Sequence, residues 1–128
     1  MLKTLEDNRD ILKFNAEGVD PGVIWTEACV AGKTAVEEYY REYGEPLYCG
    51  FGHVNIRPAR GKFVNFLKKV GIGSSGYNGG YNVSYYDIMA DHKLCSTQSL
   101  DLKETCVDAF AKVLQKYGMD AWGVGRAD

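Results

Sequence analysis

A chain of 128 residues with 45% hydrophobic and 25% charged side chains has the composition of one globular domain, long enough to bury a core without staples. Its net charge of −2 and pI near 5.7 exclude a generic nucleic-acid-coating protein, which draws its affinity from a broadly basic surface. No apolar run nears the ~20 residues of a membrane span, and the charged opening MLKTLEDNRD lacks the apolar core of a signal peptide, so a host-cytoplasmic type of location with no membrane partner is expected.

Residues Met1 to Phe14 place Leu2, Leu5 and Leu12 at helical spacing and predict a short helix. Asp20-Pro21 then starts a longer one, with an acceptor at the N-cap and proline where its missing N–H costs nothing. Ile24, Ala28, Ala31 and Ala35 form one stripe of it, and Trp25, Cys29, Gly32, Val36 and Tyr40 the next, before the helix ends near Gly44. With two apolar stripes, this helix is expected to pack on the domain and on a second copy. A homo-oligomer through residues 22–43 follows, with Trp25, Cys29, Gly32 and Val36 partly exposed on the isolated subunit.

From Pro46 to Tyr86 there is no Asp or Glu, while Arg57, Arg60, Lys62, Lys68 and Lys69 give +5, so the remainder carries −7. Such asymmetry can hold a specific anion while repelling other polyanions. Leu47 to Ile56 alternates as a strand: Gly50, Gly52, Val54 and Ile56 face one way, the glycines admitting a helix, and Cys49, Phe51, His53 and Asn55 face the other. A basic helix follows (Ala59 to Val70, with Phe63, Phe66, Leu67 and Val70 inward), closed by Gly71 and Ile72. Next come a glycine-rich loop (Gly71 to Gly80) and an aromatic strand (Tyr81 to Tyr86). Leu94 to Leu100 can supply a further strand. The last helix, introduced by Asp101-x-x-Glu104, repeats the ending of the basic one, and a strand from Ala121 to Arg126 finishes the chain. This order predicts an α+β, ferredoxin-like split βαβ (βαββαβ) antiparallel sheet over residues 46–128, carrying a helical extension over 1–45.

Several motifs fail on context. Ala31-Gly32-Lys33-Thr34 lies mid-helix, without the glycine of a P-loop five positions before Gly32. Gly71-Ile72-Gly73-Ser74-Ser75-Gly76 matches G-x-G-x-x-G, but a helix precedes it and a strand follows, so no nicotinamide cofactor is implied. Cys49 and His53 would stand ~13 Å apart on a strand, too far to share one zinc, and no metal or other cofactor is expected. The four cysteines, with no CxxC pair, are expected to be small buried thiols. Cys49-Gly50-Phe51-Gly52-His53-Val54 runs parallel to the RRM strand signature, with Phe51 and His53 able to stack on bases.

The run Cys49 to Val64 (CGFGHVNIRPARGKFV), the Gly79-Gly80 pair, the Asp108-Ala109-Phe110-Ala111 helix and the ending Gly125-Arg126-Ala127-Asp128 resemble a family of small uncharacterised bacteriophage proteins, over about residues 47 to 128. That resemblance implies a phage origin, where small single-domain proteins outside the virion act on host machinery or host immune signals. The residues themselves suggest a non-enzymatic protein binding a small anionic, nucleotide-like ligand or a host component. An RRM-like RNA binder and a small phosphodiesterase or hydrolase around His53 and Arg57 are the alternatives.

The candidate ligand-binding residues are Phe51, His53, Asn55, Arg57, Arg60, Lys62, Tyr77, Asn78, Tyr81 and Arg126; no catalytic residue is assigned. Arg57, Arg60 and Lys62 are expected to converge at the start of the basic helix, with His92 and Lys93 near them. Arg126, Asp128 and the glycine-rich loop are expected to meet at the opposite end.

Overall fold

The computed structural model describes residues 18–128, so the helix expected over Met1 to Phe14 lies outside the described residues. Helix α1 (Pro21–Tyr43) begins as its sequence dictates, the Asp20 carboxylate accepting the Gly22 amide at 2.8 Å. Strand β1 (Gly50–Arg57), helix α2 (Lys62–Val70), a two-residue β2 (Ser74–Ser75), β3 (Tyr81–Ser84), one turn of α3 (Tyr85–Ile88), α4 (Leu100–Lys116) and β4 (Asp120–Ala127) follow. The four strands form one sheet in the order β2-β3-β1-β4, with every neighbouring pair antiparallel. The class is α+β.

The strands fall differently from the expected pattern. Tyr81–Ser84 runs antiparallel to β1, with Tyr81 opposite Ile56 and Ser84 opposite His53, whereas the expected meeting of the glycine-rich loop with Arg126 requires the two strands to run in the same direction. The reason lies in the glycine-rich loop: Ser74–Ser75 is itself a strand paired with Tyr81 and Asn82, so the chain reverses before it reaches β1. Residues 85 and 86 are lost to α3, because the Ser84 hydroxyl accepts the Asp87 amide while the Asp87 carboxylate accepts the Ser84 amide, a reciprocal cap that turns the strand into helix. Leu94 to Leu100 is not a strand. It makes one bridge, Cys49 to Ser99, flanked by hydrogen bonds from the Gly50 amide to Gln98 and from the Leu100 amide to Tyr48.

Both long β-face helices end alike. The Ile72 amide donates to the Leu67 carbonyl and the Met119 amide to the Leu114 carbonyl, with Gly71 and Gly118 at positive φ. The cap of α4 differs from expectation: Ser99, not Asp101, accepts the Leu102 amide.

Helices cover one face of the sheet. Val54, Ile56, Tyr81 and Val83 of the strands share one core with Phe63, Val64 and Leu67 of α2, Leu102, Phe110 and Leu114 of α4, and Ile24, Ala28 and Val36 of α1. Glycine sets the helix–sheet distance: a Cβ on Gly50 would lie 2.7 Å from Leu100 Cδ1 and one on Gly52 2.9 Å from Lys103 Cβ. Gly123 and Gly125 of β4 are likewise pressed against Asp108 and Glu104.

The second stripe of α1 lies inside this core rather than outside it. Cys29, Gly32 and Val36 are buried, and Trp25 is half-buried with its ring edge-on to Phe110 at 5.5 Å. Gly32 faces both Cys106 of α4 and Ile88 of α3, so neighbours in the same chain occupy the surface expected to await a second copy. Two cysteines also depart from expectation: Cys29 and Cys106 are buried, and desolvation pushes both thiols up to about 12, whereas Cys49 is exposed and Cys95 half-buried. Among the described residues no helix is long and apolar enough to cross a membrane.

Candidate functional site

The side chains that alternate away from the helices form an open sheet face. On β1 these are Phe51, His53, Asn55 and Arg57. Register places Arg126, Val124, Trp122 and Asp120 of β4 beside them in that order, and Ser84 and Asn82 of β3 beside His53 and Asn55. Phe51 is 44% exposed and Trp122 38%, so large apolar rings meet solvent on this side. Each carries a guanidinium: Arg126 stands 5.5 Å from the Phe51 ring centroid and Arg57 5.6 Å from that of Trp122.

Arg57 also clamps the glycine-rich loop. Its Nη2 donates to the Asn78 carbonyl at 2.8 Å and its Nε to Asn55 Oδ1 at 3.0 Å. Asn55 Nδ2 donates in turn to the Gly79 carbonyl and to Asn82 Oδ1. Asn55 is therefore buried and saturated, a clasp rather than a ligand contact. The loop's glycines serve turns: Gly79 and Gly80 have φ of 99° and 75°, and a Cβ on Gly80 would lie 2.7 Å from Asn55 Oδ1.

Arg57 thus holds the loop that was expected to meet Arg126. Because β3 runs antiparallel to β1, the loop lies at the Arg57 end of the sheet, while Arg126 and the Asp128 amide, which donates to Cys49, lie at the other. Six residues of β1 separate the two ends, ~20 Å at ~3.3 Å per residue. Arg126 therefore does not meet the glycine-rich loop and its candidate ligand residues Tyr77, Asn78 and Tyr81. Tyr81 is 4% exposed on the core side and donates to the Ile72 carbonyl, whereas Tyr77 is fully exposed at the loop tip.

Arg57, Arg60 and Lys62 do come together. With Pro58, Gly61, Phe63 and the turn Tyr117–Asp120 they line a cavity of about 310 Å³ at the start of α2. Gly61 caps that helix with no side-chain acceptor, so its first amides point outward without one. Arg60 makes no hydrogen bond or ion pair among the described residues. Asp120 is the one carboxylate in the lining. His92 does not join this site. Its Nε2 meets Glu37 of α1 at 2.9 Å, and Glu37 lies ten residues, ~15 Å along the helix, beyond Glu27, which bonds Lys116 and Tyr117 near the cavity.

His53 is half-buried on the open face, and desolvation lowers its pKa, which keeps the ring neutral near pH 7. The nearby Ser84 hydroxyl bonds Asp87 rather than His53. Among the described residues no group of three or more His, Cys, Asp or Glu side chains could hold a metal ion.

Two residues escaped the sequence reading. Trp122 was signalled by the last strand, where Ala121, Gly123 and Gly125 alternate with Trp122, Val124 and Arg126 as the glycines of β1 alternate with Phe51 and His53. Lys103 opens an apolar helical stripe (Val107, Phe110, Leu114) and is fully buried. Its ammonium donates to the Gly50 carbonyl at 2.7 Å and the Tyr86 hydroxyl at 3.0 Å, stands 5.6 Å from the Phe51 ring, and has no ion-pair partner among the described residues.

Comparison with family models, curated proteins and solved structures returned no match.

Proposed function

We propose that the chain is a non-enzymatic binding protein for a small anionic, nucleotide-like ligand, held in the cavity at the start of α2. The observation that carries this reading is the convergence of Arg57, Arg60 and Lys62 on a recess of about 310 Å³ whose floor is a helix N-terminus without a side-chain cap. Amides and guanidinium groups arranged in this way suit a phosphate or carboxylate, and the apolar part of the lining, Phe63, Met119 and Tyr117, suits the body of a small molecule.

The wider reading is a phage accessory protein that acts on a host component or counters host defence signalling, supported by the family resemblance and the local +5. Self-association through α1 is part of the same proposal, now resting on its outward Val23 and Val30, which are 56% and 57% exposed. For the fold, a ferredoxin-like split βαβ variant is supported by the sheet order if the two-residue β2 counts as its second strand.

Thermal-shift titration with pyrophosphate, ADP-ribose and cyclic dinucleotides tests the site. At least one is expected to raise the melting temperature, and Arg60→Glu is expected to abolish that rise without lowering the melting temperature of the free protein. A rise undiminished in Arg60→Glu places the anion elsewhere.

A further inference from the structure

Beyond the cavity, we propose that the open sheet face is a stacking surface for single-stranded nucleic acid. Its two exposed rings, Phe51 and Trp122, lie on adjacent strands four residues out of register, ~14 Å apart at ~3.3 Å per residue and ~4.8 Å between strands. The neutral imidazole of His53 lies between them on β1. Beside it a polar recess of about 390 Å³ is edged by Ser74, Asn82, Ser84 and the capped Asp87 carboxylate; the Ser74 hydroxyl and the Asn82 amide are groups of the kind that meet base edges.

Charge favours a nucleic acid over a second copy of this chain. Arg57 and Arg126 stand at the two ends of the row of rings; of the carboxylates near the face, Asp87 is engaged by the Ser84 cap, Asp120 lies opposite Arg57, and Asp128 follows β4 beside Cys49. The acidic remainder includes Glu38 and Glu42, exposed on α1 on the helical side of the sheet, where a polyanion is repelled. A base taking the place of Arg126 over Phe51 frees that guanidinium for the adjacent phosphate, while Lys103 Nζ stays 5.6 Å from the ring centroid on the buried side.

The test is fluorescence anisotropy with labelled single strands of about ten nucleotides, as RNA and as DNA, and with the same sequence as a duplex. Single strands of either kind are expected to bind. Phe51→Ala and Trp122→Ala are each expected to weaken binding on the order of tenfold, whereas Phe51→Tyr retains it. With two guanidinium contacts, log K is expected to fall with log salt at a slope of roughly −1.4. Both rings are solvent-exposed, and unchanged melting curves verify that the variants fold.

Arg60 lies off this face, so Arg60→Glu is expected to cost less than Phe51→Ala. Absence of binding at low salt, binding unaffected by both alanine variants, or a preference for the duplex each overturns the proposal. So does a dimer by light scattering that Trp122→Ala dissolves.

Discussion

The two faces of one sheet divide packing from chemistry residue by residue. On the covered face, Gly50, Gly52, Gly123 and Gly125 have given up their side chains so that α4 can lie against the backbone; on the open face, the residues next to them in sequence include Phe51, Trp122 and Arg126, none of which the core needs. Since consecutive side chains point to opposite sides, neighbours in sequence answer to different constraints.

Adjacent substitutions break this comparison most sharply. Gly52→Val forces a branched side chain where even a Cβ would meet Lys103, and is expected to cost about 3 kcal/mol by urea denaturation. Phe51→Ala next to it is expected to cost under about 1 kcal/mol. Equal losses would mean that the open face is part of the core.

A second contrast separates the ends of the open face. Arg57→Ala removes two hydrogen bonds from the Asn55 clasp and the glycine-rich loop, with an expected loss of about 1–2 kcal/mol and faster exchange of the Gly76 and Gly79 amides. Arg126→Ala, which breaks only a stack on Phe51, is expected to change stability by under about 0.5 kcal/mol and to leave the loop amides alone.

The alternation that separates the faces was legible in β1, where Gly-Phe-Gly-His-Val reads directly as two sides, and so were the cap of α1, the Gly71 ending of α2 and the recess at Arg57, Arg60 and Lys62; the start of α2 was not, since it lies at Lys62 with Gly61 as its cap rather than at Ala59. Strand direction was not. It turned on whether Ser74-Ser75 pairs, and two small polar residues among glycines carry no periodic signal. One unseen hairpin moved the loop from Arg126 to Arg57 and turned Tyr81 from ligand candidate to core. The α1 stripe is buried mainly against Phe110 and Cys106 of α4, with Ile88 of α3 completing it at Gly32, a packing choice that the two-stripe pattern alone does not settle. Lys103 ran against the rule that charge lies outside, and only its place in an apolar stripe marked it.

The smallest effect expected is on pH dependence. Burial lowers the pKa of His53, so the unfolded chain binds its proton more readily; the stabilisation is complete above the unfolded value of about 6.5 and is lost as pH falls through it toward the lower folded value. His53→Gln is expected to flatten the slope of stability against pH just below about 6.5. The same acid-side slope in the variant would assign it to another group.

The central claim, that ligand chemistry belongs to the open face and to the recess it shares through Arg57, is tested most directly by amide chemical-shift mapping while a thermal-shift ligand or a short single strand is titrated in. Perturbations are expected at residues 57–64 for the small anion and at Phe51, His53, Trp122 and Val124 for the strand, with the outer surface of α1 unmoved. Shifts confined to α1 and α4 would contradict it.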